Sequence, residues 1–416
     1  MATQYWLGNA PAVAMVATQT LGTYDVTTTR KITIGGVTVQ AVDSGGTLTA
    51  ALTALAAACT ASAHPYFSTI TWGSTATTIT ATAKTAGVPF VMTGAVSGGT
   101  GTVANSGVQT VTTANSGPND WSVASNWSGG AVPGNGDTVI FSNNAVNVCW
   151  GLSQSAIAAT LIRFEQSYTG KIGLNYLAFA TSADGATVNT SYPEYRQLYL
   201  AIGCSTFRIG DAPASGSPSG SSRIMIDAGS TTTATIEVIN TASNSADTNR
   251  PAVRILANKS ASVVNVRSAP GGVGIAAEVP AETSTLGTIN IADTTGTSKV
   301  TTGRGLTLTN WIQDGGGNVL QSDQTIAAVT VNGGTLRTEG AGAITAMTST
   351  GGTITHNSTG TTGTLTMRGG TVTSFGSAAA RTWTTINLWS KSTLTIDPAV
   401  ISYTTLSAQE RLTVAS

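Results

Sequence analysis

In the C-terminal third of the chain, apolar and polar positions repeat with a fixed step. Glycine doublets stand at Gly315-Gly316, Gly333-Gly334, Gly351-Gly352 and Gly369-Gly370, and 333−315, 351−333 and 369−351 are each 18. In that register the third position after the first glycine reads Asn318, Leu336, Ile354 and Val372, with Val300 one unit upstream. The fourteenth reads Trp311 in the upstream unit, then Val329, Met347, Leu365 and Trp383. A short fixed period means that no unit can bury its own apolar face, so each must stack on its neighbours. The units are rich in Thr, Val and Ile, which favour a pleated surface over a helix. Glycine inside a helix would cost about 1 kcal/mol relative to Ala, whereas tight corners need the positive φ that glycine supplies. The pattern predicts about three short strands per turn of a stacked parallel β-solenoid, with rungs about 4.8 Å apart. Val300, Leu336, Ile354 and Val372 would then line one inner face, and Trp311, Val329, Met347, Leu365 and Trp383 another. Asn318 either begins an Asn ladder or marks a slip of one residue toward Val319.

Upstream the pattern changes. Residues 1–20 read as an extended arm. Residues 31–41 alternate about Gly35-Gly36 and predict a hairpin. Residues 47–60 place Leu48, Leu52 and Leu55 on one helical face. Strands are predicted at 67–72, 77–83 and 90–96. Together with a stretch at 97–116 that reads as a linker or a long strand pair, these make a small α+β module over 21–116. Residues 117–138 carry Trp121, Trp127, a turn starting at Pro133, and Asp137. They read as the atypical end unit that a solenoid needs to hide its terminal apolar face. The solenoid proper would span 139–416. Strand spacing is irregular before residue 297, with looser loops at 181–195 and 211–222. At 18–22 residues per coil the span would hold about 12–15 rungs.

Composition narrows the function classes. Charged residues make up 9% of the 416, and 19 Lys+Arg balance 19 Asp+Glu. A neutral chain has no electrostatic footprint for nucleic acid or an anionic membrane. The longest apolar run, 48–63, is too short to span a bilayer, and the N-terminus lacks a basic signal-peptide region. Cys59, Cys149 and Cys204 are an odd number without metal-ligand spacing, and read as buried thiols of a protein assembled in a reducing cytoplasm. Asp184, Asp211 and Asp227 form no calcium repeat. His64, before Pro65 at the helix end, and His356 have no nucleophile or ligand partner at a suggestive spacing. No phosphate loop is present, and neither metal nor cofactor is expected.

Many β-helix proteins cut polysaccharides with two carboxylates roughly 5–9.5 Å apart. The pair that best fits is Asp323 and Glu339, which stacked rungs would make diagonal neighbours about 7–8 Å apart; the plainer reading is two solvated charges. Tyr192, Glu194, Tyr195, Arg196 and Tyr199 suggest either an aromatic sugar platform or a loop packed on the solenoid side.

The segment NDWSVASNWSGGAVPGNGDTVIF is similar to a W-x-x-x-x-N-W-S-G-G-x-V-P-x-x-G-D-x-V motif that precedes many bacterial and phage β-helices. Further stretches are TQYWLGNAPAVA, AGVPF, GLSQSA, QSYTGKIGL, EYRQLYLAIG, PAVRI with SVVNV, and the C-terminal GGT units. With these the chain resembles, over nearly its whole length, tailed-phage virion structural proteins. Those proteins have an N-terminal module followed by a right-handed parallel β-helix. The resemblance implies a mainly β fold of that arrangement. It also implies a non-enzymatic particle component, a cement or decoration protein at threefold sites between capsomers. The major capsid protein would be its partner, the side-by-side homotrimer its assembly, and the virion, assembled in the host cytoplasm, its location. The alternative is a tail or fibre protein that binds a receptor or acts on polysaccharide, with weak glycan binding possible in either case. The motifs are structural, so no catalytic residue is carried over.

Overall fold

The structure is a computed structural model that describes residues 1–173, 180–181, 187–188, 199–210, 224–241, 251–277, 282–374, 379–389 and 391–409. It is mostly β, with a parallel solenoid of about ten turns and a small N-terminal module.

The first residues belong to the solenoid. Strand β1 (Thr3–Tyr5) lies parallel to a strand at Thr138–Phe141, with Thr3, Gln4 and Tyr5 opposite Thr138, Val139 and Ile140. Trp6 follows into the end of the core. The chain then leaves the solenoid, and at 116 it returns beside its point of departure, where Val13 N donates to Ser116 O at 2.8 Å. Everything between is one module. Strand β2 (Val16–Gly22) is its centre, and β3 (Thr29–Ile34) and β4 (Val37–Val42) form the expected hairpin. Gly35 and Gly36 turn it with φ of +57° and +85°, the two positive values that a two-residue hairpin favours. Helix α1 (Leu48–Ala61) starts at Thr47, whose Oγ1 accepts from Ala50 N at 3.2 Å. A short α2 (Pro65–Ser68) and strands β5 (Ile70–Ser74), β6 (Thr78–Ala83) and β7 (Met92–Ser97) follow. Strand β2 pairs with β6, and β3 with β7. Leu52, Leu55, Phe67, Ile79, Phe90 and Met92 fill a core of their own. Within it Arg30 is fully buried against Asp43, with Nε–Oδ1 at 2.6 Å and Nη2–Oδ2 at 2.7 Å, and it also donates to Gly22 O and Thr23 O.

Two sequence boundaries need correction. The arm over 1–20 is not free, because β1 is a solenoid rung and β2 is the middle strand of the module. The stretch at 97–116, read as a linker or a long strand pair, holds two short strands, β8 (Thr102–Val103) and β9 (Thr110–Thr113), which pair antiparallel with β2 and not with each other. The module therefore spans about 13–116 and is inserted between a first solenoid strand and its cap.

Along one inner column Phe141, Phe164, Ile209, Val238, Val266 and Ile291 stack in register. The steps are 164−141 = 23, 209−164 = 45, 238−209 = 29, 266−238 = 28 and 291−266 = 25. These long early coils are why there are fewer turns than a uniform 18–22 spacing gives. Downstream the 18-residue step holds: Asn318, Leu336, Ile354 and Val372 stack in order, and Leu394 continues them. Thr301 lies opposite Val319, which sets Val300 against Asn318 with no slip. Asn318 begins no ladder, since both neighbours are apolar. Its Oδ1 accepts from Val300 N at 2.8 Å and its Nδ2 donates to Gly315 O at 3.0 Å, so the buried amide is satisfied within the corner.

Trp311, Val329, Met347 and Leu365 stack as expected, but the next member is Ile386. Trp383 is a correction. The last repeat is three residues longer (386−365 = 21 against 18), so Trp383 falls opposite Thr362 on the neighbouring column. It remains fully buried and packs on the His356 ring at 5.2 Å.

The glycine doublets serve two different needs. Gly316, Gly334, Gly352 and Gly370 have φ of +80°, +71°, +72° and +79°. The first glycine of each pair has no positive φ; instead, the backbone of the previous rung leaves no room for a side chain. A Cβ on Gly351 would lie 2.5 Å from Asn332 O, and one on Gly369 2.6 Å from Thr350 O. Gly352 carries both constraints, since its Cβ would also lie 2.6 Å from Gly334 O. Replacing it with Ala is expected to cost about 1–3 kcal/mol or more. Gly296→Ala, with φ +73° but open space around it, should cost less. Urea unfolding of the two variants followed by tryptophan fluorescence checks this, and equal midpoints would count against the close-approach account.

Candidate functional site

The cap is the densest constellation in the chain. Trp6 meets Trp127 edge-on at 5.0 Å, and Trp127 meets Trp121 at 4.6 Å. Phe141 stacks on Phe164 at 4.9 Å. Pro133 is buried in the turn that follows. Asn126 is the polar hub. Its Oδ1 accepts from Ala10 N at 2.7 Å, and its Nδ2 donates to Gly117 O and Asp120 O, each at 2.8 Å. Asp137 accepts from Ala2 N at 2.6 Å and Gly134 N at 2.9 Å, and those bonds hold its carboxyl below the usual range. Gln4 Oε1 accepts from Gly129 N at 2.9 Å. Trp121 and Trp127 are in ring contact, and Asp137 bonds back to Gly134 in the turn that begins at Pro133. Trp6, Gln4 and Asn126 complete the set, and the N-W pair at 126–127 was the available signal for Asn126.

Asp323 and Glu339 between them bond to backbone, amide and guanidinium groups of the solenoid. Gln321 lies opposite Glu339, so Asp323 falls opposite Ala341 on the next rung. Asp323 Oδ1 accepts from Ala341 N at 2.8 Å and from Arg304 Nη1 at 3.1 Å, tying corner to corner. Glu339 takes Arg337 Nε at 2.8 Å and Gln321 Nε2 at 2.7 Å. Each carboxylate is engaged by groups of its own and the adjacent rungs. Tyr192, Glu194, Tyr195 and Arg196, like Asp184 and Asp211, lie outside the described residues. Tyr199 OH donates to Glu282 Oε1 at 2.8 Å. Asp227 accepts from Gly229 N at 2.9 Å, and burial raises its pKa.

His64, before Pro65, caps α2: its Nδ1 accepts from Tyr66 N at 3.2 Å. His356 is buried between Thr338 Oγ1 on Nδ1 (2.5 Å) and Thr362 Oγ1 on Nε2 (2.8 Å). Burial, with Arg381 nearby, pushes its pKa down to about 3. Cys59, Cys149 and Cys204 are free and buried, and burial pushes their thiols up to about 12, 11 and 12.

On the outer face, Glu237, Asn265, Arg267 and Asn290 line an open groove of about 470 Å³. Glu237, Asn265 and Asn290 occupy one column on three successive rungs, and Arg208 Nε holds Glu237 Oε2 at 2.9 Å. Amides beside opposite charges suit a hydroxyl-rich ligand. Coils of 28 and 25 residues separate these positions, so no fixed period in the sequence linked them.

Among the described residues no group of three or more His, Cys, Asp or Glu is placed to hold a metal, and no helix is long and apolar enough to cross a membrane. No protein-family model, curated protein or solved structure matches the chain.

The buried imidazole sets a pH dependence. The unfolded chain takes up a proton as pH falls through the ordinary value of 6.5, whereas the folded chain does so only near 3. Stability from this group is therefore full above pH 6.5 and is lost progressively below it, by up to about 1.4 kcal/mol per pH unit. Asp120 and Asp227, raised by burial, act with the opposite sign, in a window just above the normal carboxylate value. Between pH 7 and pH 5 the protein should lose about 2 kcal/mol, read by urea titration. His356→Gln should flatten that loss, and an unchanged loss would remove His356 as its source.

Proposed function

We propose that this chain is a non-enzymatic structural protein of a tailed-phage particle, a cement or decoration protein that stabilises the shell at threefold sites between capsomers. The observation that carries the reading is the two-part construction. A self-contained module of about 13–116 is inserted at the capped end of a rigid rod, so attachment and projection fall to separate bodies. The stretches that resemble virion proteins support it, since TQYW and NDWSVASNW fold together as one cap. The outer columns support it as well. Thr330, Thr348 and Thr366 follow one another on one face, and Thr335, Thr353, Thr371 and Thr393 on another. Such flat, uncharged hydroxyl surfaces suit broad contacts with little salt dependence. The major capsid protein is the partner this reading names, and side-by-side packing of three rods is the assembly it expects. The groove at Glu237, Asn265 and Asn290 favours the second reading, a tail protein that contacts glycans.

The test is a cryo-EM map of particles carrying the protein. Density at many threefold capsid sites is expected, and density confined to the tail would transfer the chain to the second reading. A variant in which a short Gly-Ser linker replaces 14–115 joins ends already hydrogen-bonded to each other. It should keep the β circular dichroism of the solenoid and lose co-sedimentation with particles. Undiminished co-sedimentation would show that the module is not the attachment site.

A further inference from the structure

The last described turn of the solenoid consists of Ser392–Ile396 and Ile401–Gln409. Among the described residues no strand pairs on the far side of Ile401–Gln409. Register on Arg381–Trp389 assigns each side chain to a face. Ile401, Tyr403, Leu406 and Ala408 stand over the core positions Arg381, Trp383, Ile386 and Leu388. Ser402, Thr405 and Ser407 stand over the outward Thr382, Thr385 and Asn387, and Thr404 falls over Thr384. One rung down, Trp383 and Ile386 are 0% exposed; on this rung Tyr403 and Leu406 are 46% and 49% exposed. Among the described residues, nothing covers the apolar ladder at this last described turn.

Exposed strand edges in natural proteins usually carry charge, proline or a bulge that blocks further pairing. Here no charged residue occurs from 398 to 409, and no proline from 401 to 409. The order of faces from Ile401 to Ala408 is in, out, in, out, out, in, out, in, which reads the same in both directions. An antiparallel pairing with a second copy, centred between Thr404 and Thr405, therefore matches every position. Ile401 meets Ala408, Ser402 meets Ser407, Tyr403 meets Leu406, and Thr404 meets Thr405, each contact occurring twice about the axis. A slip of one residue would set Tyr403 against Ser407, core face against outer face, so the register is specified. The other strand has the same property, since Thr393-Leu394-Thr395 is symmetric about Leu394.

We infer that two copies of this chain join tip to tip through a two-fold axis at the last turn, extending one continuous core through both rods. The contact leaves the module and the long faces free, so it stands or falls independently of the proposed role in a particle. It also doubles whatever assembly the long faces make.

The test is the mass of the full chain by light scattering over micromolar concentrations, compared with Leu406→Lys. The wild type should have twice the mass of the variant. Ser402→Cys/Ser407→Cys should form a covalent dimer on oxidation, while each single variant should not, because position 402 faces 407 and not itself. The three native thiols are buried and stay silent. Equal masses for wild type and Leu406→Lys would overturn the inference, as would an assembly in which the double variant fails to cross-link. Should Leu406→Lys fail to fold, the cross-link alone decides. Residues 410–416 lie outside the described residues, and a chain ending at Gln409 tests them. Dimerisation only after that truncation would mean that 410–416 cover the edge, and would also overturn the inference.

Discussion

Rung-on-rung stacking is the constraint on which everything else here depends. A coil of 18 residues has only two or three inner ladder positions per strand and no core of its own, so its apolar side chains are buried only by the coils above and below. Two consequences follow in the structure. Corners must let backbones approach closely, which is why glycine recurs in pairs. The ends must be treated differently from the middle. At one end β1, Trp6, Trp121 and Trp127 close the stack, with aromatic pairs contributing about 0.5–1.5 kcal/mol each beyond their buried area. Asn126 binds the three chain segments that meet there.

A stack of similar rungs also has a register problem, since one apolar ladder slides over another with little loss. Buried polar groups resolve it. Gln313 Nε2 donates to Gly333 O and Thr335 O, each at 3.1 Å, and Ser349 Oγ donates to Gly369 O at 2.9 Å. These side chains occupy inner positions two rungs from one another and reach the carbonyls of the glycine corners. A slip would leave each of them buried and unpaired, at about 1–3 kcal/mol per group. Asn318 acts in the same way on its own corner. The apolar ladders supply stability, and these few amides and hydroxyls fix which rung lies over which.

What was legible in the sequence follows from the same physics. Wherever the period was constant, the ladder could be read by counting, as from Leu336 to Val372. Trp383 was misplaced because three added residues change the column without changing the burial, and both columns want an apolar residue. The first strand was unreadable for a different reason. Its partner at 138–140 lies 135 residues away, and three residues carry too little alternation to announce a strand. At 102–103 and 110–113 the Gly/Thr/Ser composition allowed a linker as well as strands, and it gave no sign that both strands pair with β2. The cap was visible through its tryptophans, whereas the groove at Glu237 was not, because loops of unequal length separate its members.

The insertion of the module gives the architecture its functional logic. Its core, around Leu52 and Phe67, is distinct from the ladder core of the solenoid, and Val88 packs on a small cluster of Cys149 and Trp150 at their junction. Two bodies with separate cores and adjacent connecting strands have the anatomy of two domains. The module sits at the closed end, and at the other end no described residue covers the ladder. Closure at one end, and a symmetric, uncharged strand at the other, are opposite answers to the same problem of the last rung. The first turns the solenoid inward on its own chain. The second leaves the ladder in a form that a further copy of the same turn completes without a new core having to be made.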